Sequence, residues 1–555
     1  MPITVKDNIM LEVVTPRLKA VFNGATLVSL TSASGRNMLQ SPGGAGLGIT
    51  VSEAAPTPLG TSPFAQVQVV QLGQRVAHVN LEDDEGDACL KISIDAQDRL
   101  VLEPSAQLIR QGLGAVRLNL SGVAAGLKLV APFFQGCRLE LDHPLAVGYW
   151  TWPQMWEAAL VILQGDGEGW SVHCEDRRSL PKGLAIIGES RTLGLDTQAI
   201  GPWHANAAVG GLAWIIDCHQ GDWQAPARQY HDWLREAYSL GRMAELRPSW
   251  WGDIRFGVQW CPANIAVLDA LERALPPARV LLHVPGWRSD PYDVNYPEYN
   301  AAPAAKAFIA EAVRRGFHPL PHFNYCAIDP NHPIFPRVLN YVLRDMHNKR
   351  LQGWRWKSGT CPPFPQGYGN IARHRGQNVM AYVHGGLSFW RREIARRIAA
   401  ATTNLGTDGA FVDQTLCAWN CDNGLVENLT SIEGMLALTR DLSELDGKLA
   451  IGGEGRNEMN MQYQSFAQAH LYMSWFKNHP NFAELDPVPV GDVLYGDLCR
   501  TMGYNAIDGS TPESQLRIDV HDKLGAIPSV TIGSAAEIAS PNPTVKQMLA
   551  RAAGA

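Results

Sequence analysis

Two apolar runs in this 555-residue sequence end on a carboxylate. GTDGAFVDQT, residues 406–415, reads as a buried strand finishing at Asp413, and KLAIGGEGRNE, residues 448–458, as a second finishing at Glu454. A period of two puts Phe411 and Asp413 on one face of the first, and Ala450, Gly452 and Glu454 on one face of the second. The small residues leave room around Glu454. Neighbouring strands run about 4.7–4.9 Å apart, so with side-chain reach the carboxyls fall about 5–6 Å apart. At about 5–5.5 Å one acid can attack an anomeric carbon while the other protonates the leaving oxygen; at about 6.5–9.5 Å a water fits between them and the configuration inverts. Both geometries stay open, as do a protein that binds sugar without cleaving it and a transglycosylase or lyase. Asp408 precedes its strand and so belongs at the opposite, structural end. Glu458 falls in the loop or first helical turn beyond Glu454, where it can stabilise a helix N-terminus.

Other residues have the types to hold a sugar. Asp290 and Asp293 share one loop, and a carboxylate can accept two hydroxyls. His322 and Asn324 are two apart near a strand end and therefore share a face. His384 sits in a similar AYVHGG context. Trp260, Trp287 and Trp419 each end or follow a strand and can stack on a sugar face or fill core, as can any of the seventeen Trp. Gln414 can orient Asp413. Arg456 is a candidate substrate contact whose guanidinium would lower the Glu454 pKa unless it points away.

The elements that must position these residues differ along the chain. Residues 1–222 carry short alternating runs such as LKISIDA and VRLNLSG, with turn residues every 8–12 positions, which predicts an all-β sandwich. QAPARQYHDWLREAY (224–238) is the first strong helical pattern and predicts a linker over 223–249. Across 250–555 strands alternate with helices: IRFGVQW, RVLLHVPGW, FHPLPHFNY, the two carboxylate-ended runs, AHLYMSW, DLCRTMGY and AIPSVTIG. Eight strands with helices between them predict a (β/α)8 barrel, whose chemistry sits at the C-terminal strand ends. No phosphate-binding glycine loop follows the first of them, which argues against a doubly wound sheet.

Composition removes several classes. A net charge of -7 without a basic stripe speaks against nucleic acid as partner. No run of about 18 apolar residues predicts a membrane span, and the N-terminus has no signal-peptide core. Ten Cys without a pairing rhythm fit reduced thiols in a cytoplasm, although a processed secreted chain would look the same. Cys417 and Cys421 lack the companions of a zinc site, and there is no HExxH or GxSxG motif. The expectation is an enzyme with no metal, no cofactor and a carbohydrate partner; its oligomeric state is open.

GTDGAFVDQT followed about forty residues later by GGEGRNE resembles the barrel of α-glycoside hydrolases of the endo-α-N-acetylgalactosaminidase type and the related DUF6259 proteins. HVPGWRSDPYDVNYPEYN (283–300) resembles their loop after the second strand. GATLVSLTSASGRNML (24–39) is similar to the mutarotase-like supersandwich that often precedes such barrels. The resemblance implies a retaining α-glycosidase with Asp413 as nucleophile and Glu454 as acid/base. Arg456 and Asn457 directly behind the acid depart from the pattern. So does a chain that closes with the barrel, which favours exo action over the endo action of the larger relatives.

Overall fold

The computed structural model describes residues 3–6, 9–51, 66–355, 379–445, 449–471, 486–504, 507–510 and 514–554. Up to residue 220 the described strands form antiparallel sheets. Five strands from Ile3–Val5 to Asn37–Gln40 form one sheet, and five others from Leu47–Val51 to Thr192–Gln198 form a second. A third, eleven-stranded sheet runs through Gly86–Ile94 and Leu100–Leu108. Strand Gly86–Ile94 alternates strictly between buried and less buried positions, the mark of a sheet with one face on a core. Side chains of all three sheets, among them Leu30, Leu90 and Leu118, join one apolar cluster.

Helix α1 (Gln224–Ala237) follows and turns Pro226, Ala227, Tyr230 and Leu234 inward. These pack with Val130 and Ile162 of the eleven-stranded sheet and with Val490 and Leu494 from much later in the chain. The late segment also pairs directly with that sheet: Asp486–Pro487 is its edge strand, with Cys137 opposite Pro487.

The later part contains one sheet of eight parallel strands: β1 (Phe256–Gln259), β2 (Val280–Val284), β3 (His318–Asn324), β4 (Gly409–Asp413), β5 (Ala450–Glu454), β6 (Phe466–Gln468), β7 (Arg500–Thr501) and β8 (Ser529–Thr531). The hydrogen-bonded order is β7-β6-β5-β4-β3-β2-β1-β8, so the first strand in sequence pairs with the last. No ladder joins β7 to β8, but the Ile527 N–H donates to the Thr501 carbonyl at 2.7 Å across that gap. The sheet is curled: a Cβ on Gly257 in β1 would lie 3.3 Å from Met502 Sδ, just beyond β7. Strands β1 and β2 are buried at every position, as parallel strands covered on both faces must be.

Helices lie between the strands. Asn264 caps α2 (Ile265–Ala274) by accepting from the Ala266 N–H at 3.0 Å. Helix α3 (Pro303–Arg314) buries Phe308, Ile309 and Ala312, and Gly316 beyond it takes φ +89°. Val313, next to Ala312, is exposed. Helix α4 (Ser388–Leu405) stops at Gly406 with φ +69° and delivers the chain into β4. Helix α5 (Ser431–Leu445) begins with a reciprocal cap in which Glu433 accepts from the Thr430 N–H and donates its own N–H to Thr430 Oγ1.

Two expectations are corrected. The sixth parallel strand is Phe466–Gln468 rather than AHLYMSW (469–475), of which 472–475 lie outside the described residues. Between β3 and α4 a three-stranded antiparallel sheet of Ala327–Ile328, Val379–Tyr382 and Gly353–Arg355 interrupts the alternation. Among the described residues no helix is long and apolar enough to cross a membrane.

Candidate active site

Strands β4 and β5 run in register, Phe411 opposite Gly452 and Val412 opposite Gly453, which brings Asp413 and Glu454 to the same level. Asn324 pairs with Asp413 from β3, and Gln468 with Glu454 from β6. One polar row thus crosses four strands. Beneath it Leu281, Leu320, Phe411, Phe466 and Met502 form an apolar layer. The two glycines before Glu454 are needed for this fit: a Cβ on Gly452 would sit 3.0 Å from Leu320, and one on Gly453 2.3 Å from Gln464 Oε1.

The side chains of Asp413 and Glu454 are each 13 % exposed. Burial raises the affinity of both for protons. Asp413 is driven well above the usual carboxylate range by desolvation and by the Glu454 charge. Burial pushes Glu454 up to about 7 against the opposing Gln414 N–H and Asp413 hydrogen bonds. Two such groups titrate as a pair, and this pair retains a proton near neutral pH. Gln414 adopts φ +64°, which turns its N–H to Glu454 Oε2 at 3.2 Å while its side chain accepts from Asn324 Nδ2 at 3.2 Å. A left-handed non-glycine residue between two such acids is strain of the kind that collects at functional sites. Thr415 Oγ1 donates to the Glu454 carbonyl at 2.7 Å.

Histidines flank both acids. His470 Nε2 lies 3.1 Å from Glu454 Oε1, and burial lowers its pKa to about 3, so it is a neutral partner. On the other side His322 Nε2 stands 3.7 Å from Asp413 Oδ2 and 3.1 Å from the Tyr292 hydroxyl. The tautomers in this chain follow from one unambiguous donor. The Trp260 backbone N–H points at His283 Nδ1 at 3.3 Å, and Gln468 Nε2 reaches the same nitrogen at 3.1 Å. His283 Nδ1 therefore accepts, and Nε2 carries the proton and donates to His322 Nδ1 at 3.1 Å. His322 in turn carries its proton on Nε2, facing Tyr292 and Asp413. Burial keeps both imidazoles neutral.

Of the other expected residues, Asp293 lies beside this group. It is 2 % exposed, neither carboxyl oxygen has a hydrogen-bond partner in the protein, and desolvation together with the Asp413 charge raises its pKa. Asp290 is half-buried and accepts from Asn295 Nδ2 at 3.4 Å. Trp260, half-buried with φ +55°, packs against Tyr292 and the two histidines.

Four expected contacts are placed elsewhere. Trp287 is wholly buried, with Nε1 donating to the His322 carbonyl at 2.7 Å. Trp419 is buried against Tyr382, with Nε1 on Gln352. His384 has both ring nitrogens on backbone groups of Gly386 and Gly424. Arg456 is 0 % exposed and turns away from Glu454 toward Gln135 and the Cys499 carbonyl, so its guanidinium makes no bond to the acid. Glu458 caps no helix; it is buried and accepts from the Tyr230 hydroxyl at 2.7 Å. Asp408, at the opposite sheet end, accepts from Trp250 Nε1 at 2.9 Å.

Sequence reasoning passed over His283, Tyr292, Gln468 and His470. His283 had a signal, a single imidazole inside the apolar run RVLLHV two residues from Leu281. Tyr292 sits between the two expected aspartates. His470 lay in a segment read as strand.

A family model described as a domain of unknown function, DUF6259, matches residues 211–505. No curated protein matches. Among solved structures, the chain is similar to the α-N-acetylgalactosaminidase NagBb of Bifidobacterium bifidum in its GalNAc complex, with 14% identity, a TM-score of 0.71, and 98% of this chain and 92% of that chain covered. The ligand-free form of that protein gives a TM-score of 0.68 at 13% identity over 97% and 93% of the two chains. A raffinose complex of a variant GH36 α-galactosidase AgaA from Geobacillus stearothermophilus gives 0.50 at 9% identity over 98% and 86%. At these identities the likeness is one of fold. The family match spans more than half of the sequence, and the chain belongs to the DUF6259 family.

Proposed function

We propose that this protein is a glycoside hydrolase that cleaves α-linked glycosides with retention, using Asp413 as nucleophile and Glu454 as acid/base. The observation that carries the reading is the pair itself: two buried carboxyls at the same level on adjacent parallel strands, both pushed toward protonation by desolvation. Strands of a sheet run about 4.7–4.9 Å apart, which with side-chain reach favours the roughly 5–5.5 Å of a retaining pair over the roughly 6.5–9.5 Å that an inverting enzyme needs for its water. In the first step ionised Asp413 forms a bond to the anomeric carbon as the glycosidic C–O bond breaks, and Glu454 gives its proton to the departing oxygen. In the second, water attacks the glycosyl ester, Glu454 takes the water proton, and the Asp413 carboxylate is released. These steps balance without a metal or cofactor. His470, neutral by burial, orients Glu454 by a hydrogen bond at 3.1 Å, and neutral His322 stands 3.7 Å from Asp413.

The surrounding architecture is read in the same way. The curled eight-stranded sheet is a (β/α)8 barrel over about 250–555, preceded by a β supersandwich over 1–222 and a helical linker over 223–249. The α-linkage draws support from fold neighbours named as an α-N-acetylgalactosaminidase and an α-galactosidase. The test is release of the leaving group from a panel of aryl α- and β-glycosides, N-acetylhexosaminides included, by wild type and Asp413→Asn together. Cleavage of an α-glycoside, lost in the variant, with the α-anomer formed first by proton NMR, is the expected result. A fully active Asp413→Asn would overturn the assignment, and a β-anomer as first product would overturn retention.

A further inference from the structure

We infer that Gln135, in the N-terminal antiparallel part of the chain, is a positioning residue for the catalytic acid Glu454, an inference that rests on the function proposed above. Gln135 and Arg456 are separated by 321 residues, yet they pair reciprocally. Gln135 Nε2 donates to the Arg456 carbonyl at 2.9 Å, and Arg456 Nε donates to Gln135 Oε1 at 2.6 Å. The Gln135 backbone is engaged as well. Its N–H donates to Glu157 Oε2 at 2.6 Å, and its carbonyl accepts from the Gly491 N–H at 2.9 Å. Both residues are 0 % exposed, so no water can substitute for these bonds without opening the interface.

The backbone is bent to make this contact. Phe134 and Gln135 take φ +46° and +78°, a left-handed pair that side chains other than glycine avoid. Gly136 follows at φ +124°, where a Cβ would meet the Val488 carbonyl at 2.1 Å. Such a turn is retained only where surrounding contacts over-determine it.

Its target is the segment that leaves β5 directly after the acid. Gly455 has φ +87° and turns the chain, and Asn460 and Gln464 hold its carbonyl at 3.2 and 3.0 Å. Those two bonds are internal to the segment, and the Gly455 N–H adds one bond to the sheet by donating to the Gln468 carbonyl of β6 at 3.3 Å. External anchorage comes at Arg456 from Gln135 and the Cys499 carbonyl, and at Glu458 from Glu157, Ala159 and Tyr230. The Gln135 anchor is two residues from Glu454. An acid displaced by even about 1 Å loses much of its proton-transfer advantage.

A purely structural role would lower every rate alike. A positioning role acts through protonation of the leaving oxygen, so it grows as the leaving group worsens. The experiment compares wild type with Gln135→Ala and with Gln135→Met, which keeps the side-chain length and supports folding where Ala does not. Two readouts are taken: kcat on α-glycosides from activated nitrophenyl to unactivated alkyl leaving groups, and amide hydrogen exchange of residues 455–462. The expected result is kcat within about threefold on the activated substrate, a loss of about tenfold or more on the alkyl glycoside, and faster exchange over 455–462 with 450–453 unchanged. An equal loss on all leaving groups, or unchanged exchange at 455–462, overturns the inference. A wild type that cleaves no glycoside overturns the proposed function instead, while the exchange readout still decides whether Gln135 holds the segment after Glu454.

Discussion

The backbone N–H of Gln414 points at Glu454 Oε2 from 3.2 Å, although Gln414 directly follows Asp413. The residue after one acid thus helps to hold the other, and any movement of the β4 end is felt by both. This coupling, with burial of both side chains, is the physical basis for expecting their titration to control turnover.

The pH dependence follows from the sign of the shifts. The productive state has Asp413 ionised and Glu454 protonated, one proton on the pair. Desolvation pushes both members up, Asp413 well above the carboxylate range and Glu454 to about 7, so the pair holds its one proton at neutral pH; raising the pH further removes it, and kcat/KM declines on the alkaline side with an apparent pKa that belongs to the pair. Glu454→Gln should lose that limb along with most activity toward poor leaving groups, and a pH–rate profile of each protein checks this. An alkaline limb retained in the variant would remove Glu454 from the acid role.

Asp293 is buried with two carboxyl oxygens that find no partner in the protein. A polar group left so is costly unless a ligand completes it. Asp293→Asn should therefore fold normally but raise KM by about tenfold, the size of one lost hydrogen bond to a charged or strongly polar partner. Steady-state kinetics against thermal unfolding separates the two effects. An unchanged KM would place Asp293 outside substrate recognition.

Two tryptophans should behave in opposite ways. Trp260 is half-buried beside Tyr292, so Trp260→Ala is expected to weaken substrate binding with a small change in stability. Trp287 is wholly buried and donates to the His322 carbonyl, so Trp287→Ala should cost about 3–5 kcal/mol in folding stability. Denaturant titration and KM measured on both variants discriminate; equal stability losses would contradict the assignment.

Glu157 is buried, and desolvation raises its pKa well above the carboxylate range. A carboxyl bound to its proton more tightly when folded favours folding at low pH, and that contribution is lost as pH rises from the ordinary carboxylate range toward the raised value. Glu157→Gln removes this term while keeping an acceptor for the Gln135 N–H. The melting temperature of the variant should gain on that of wild type between pH 5 and pH 8, with activity unchanged. A constant difference across that range would show that Glu157 is not held protonated.

Much of the site was legible because it depends on local pattern. Alternation of period two placed Asp413 above Phe411 and Glu454 above Gly452, and adjacency of β4 and β5 followed from the order of strand and helix signals. The helix at 224–237 was equally legible, since apolar spacing acts within a few residues. Side-chain direction over longer distances was not. Trp287, Trp419, His384 and Arg456 have the residue types of a sugar site, yet packing turned each into the interior or an interface. Conversely, His470 reaches Glu454, and His283 and Tyr292 reach His322 beside Asp413, only because the parallel sheet curls and brings its strand ends together. Gln135 reaches the segment behind Glu454 only because the antiparallel sheets dock there. By itself the sequence determined which strands end in acids, because that is a matter of neighbours along the chain. Which partners surround those acids was decided by the tertiary structure, because contacts between residues 321 positions apart leave no periodic trace in either segment.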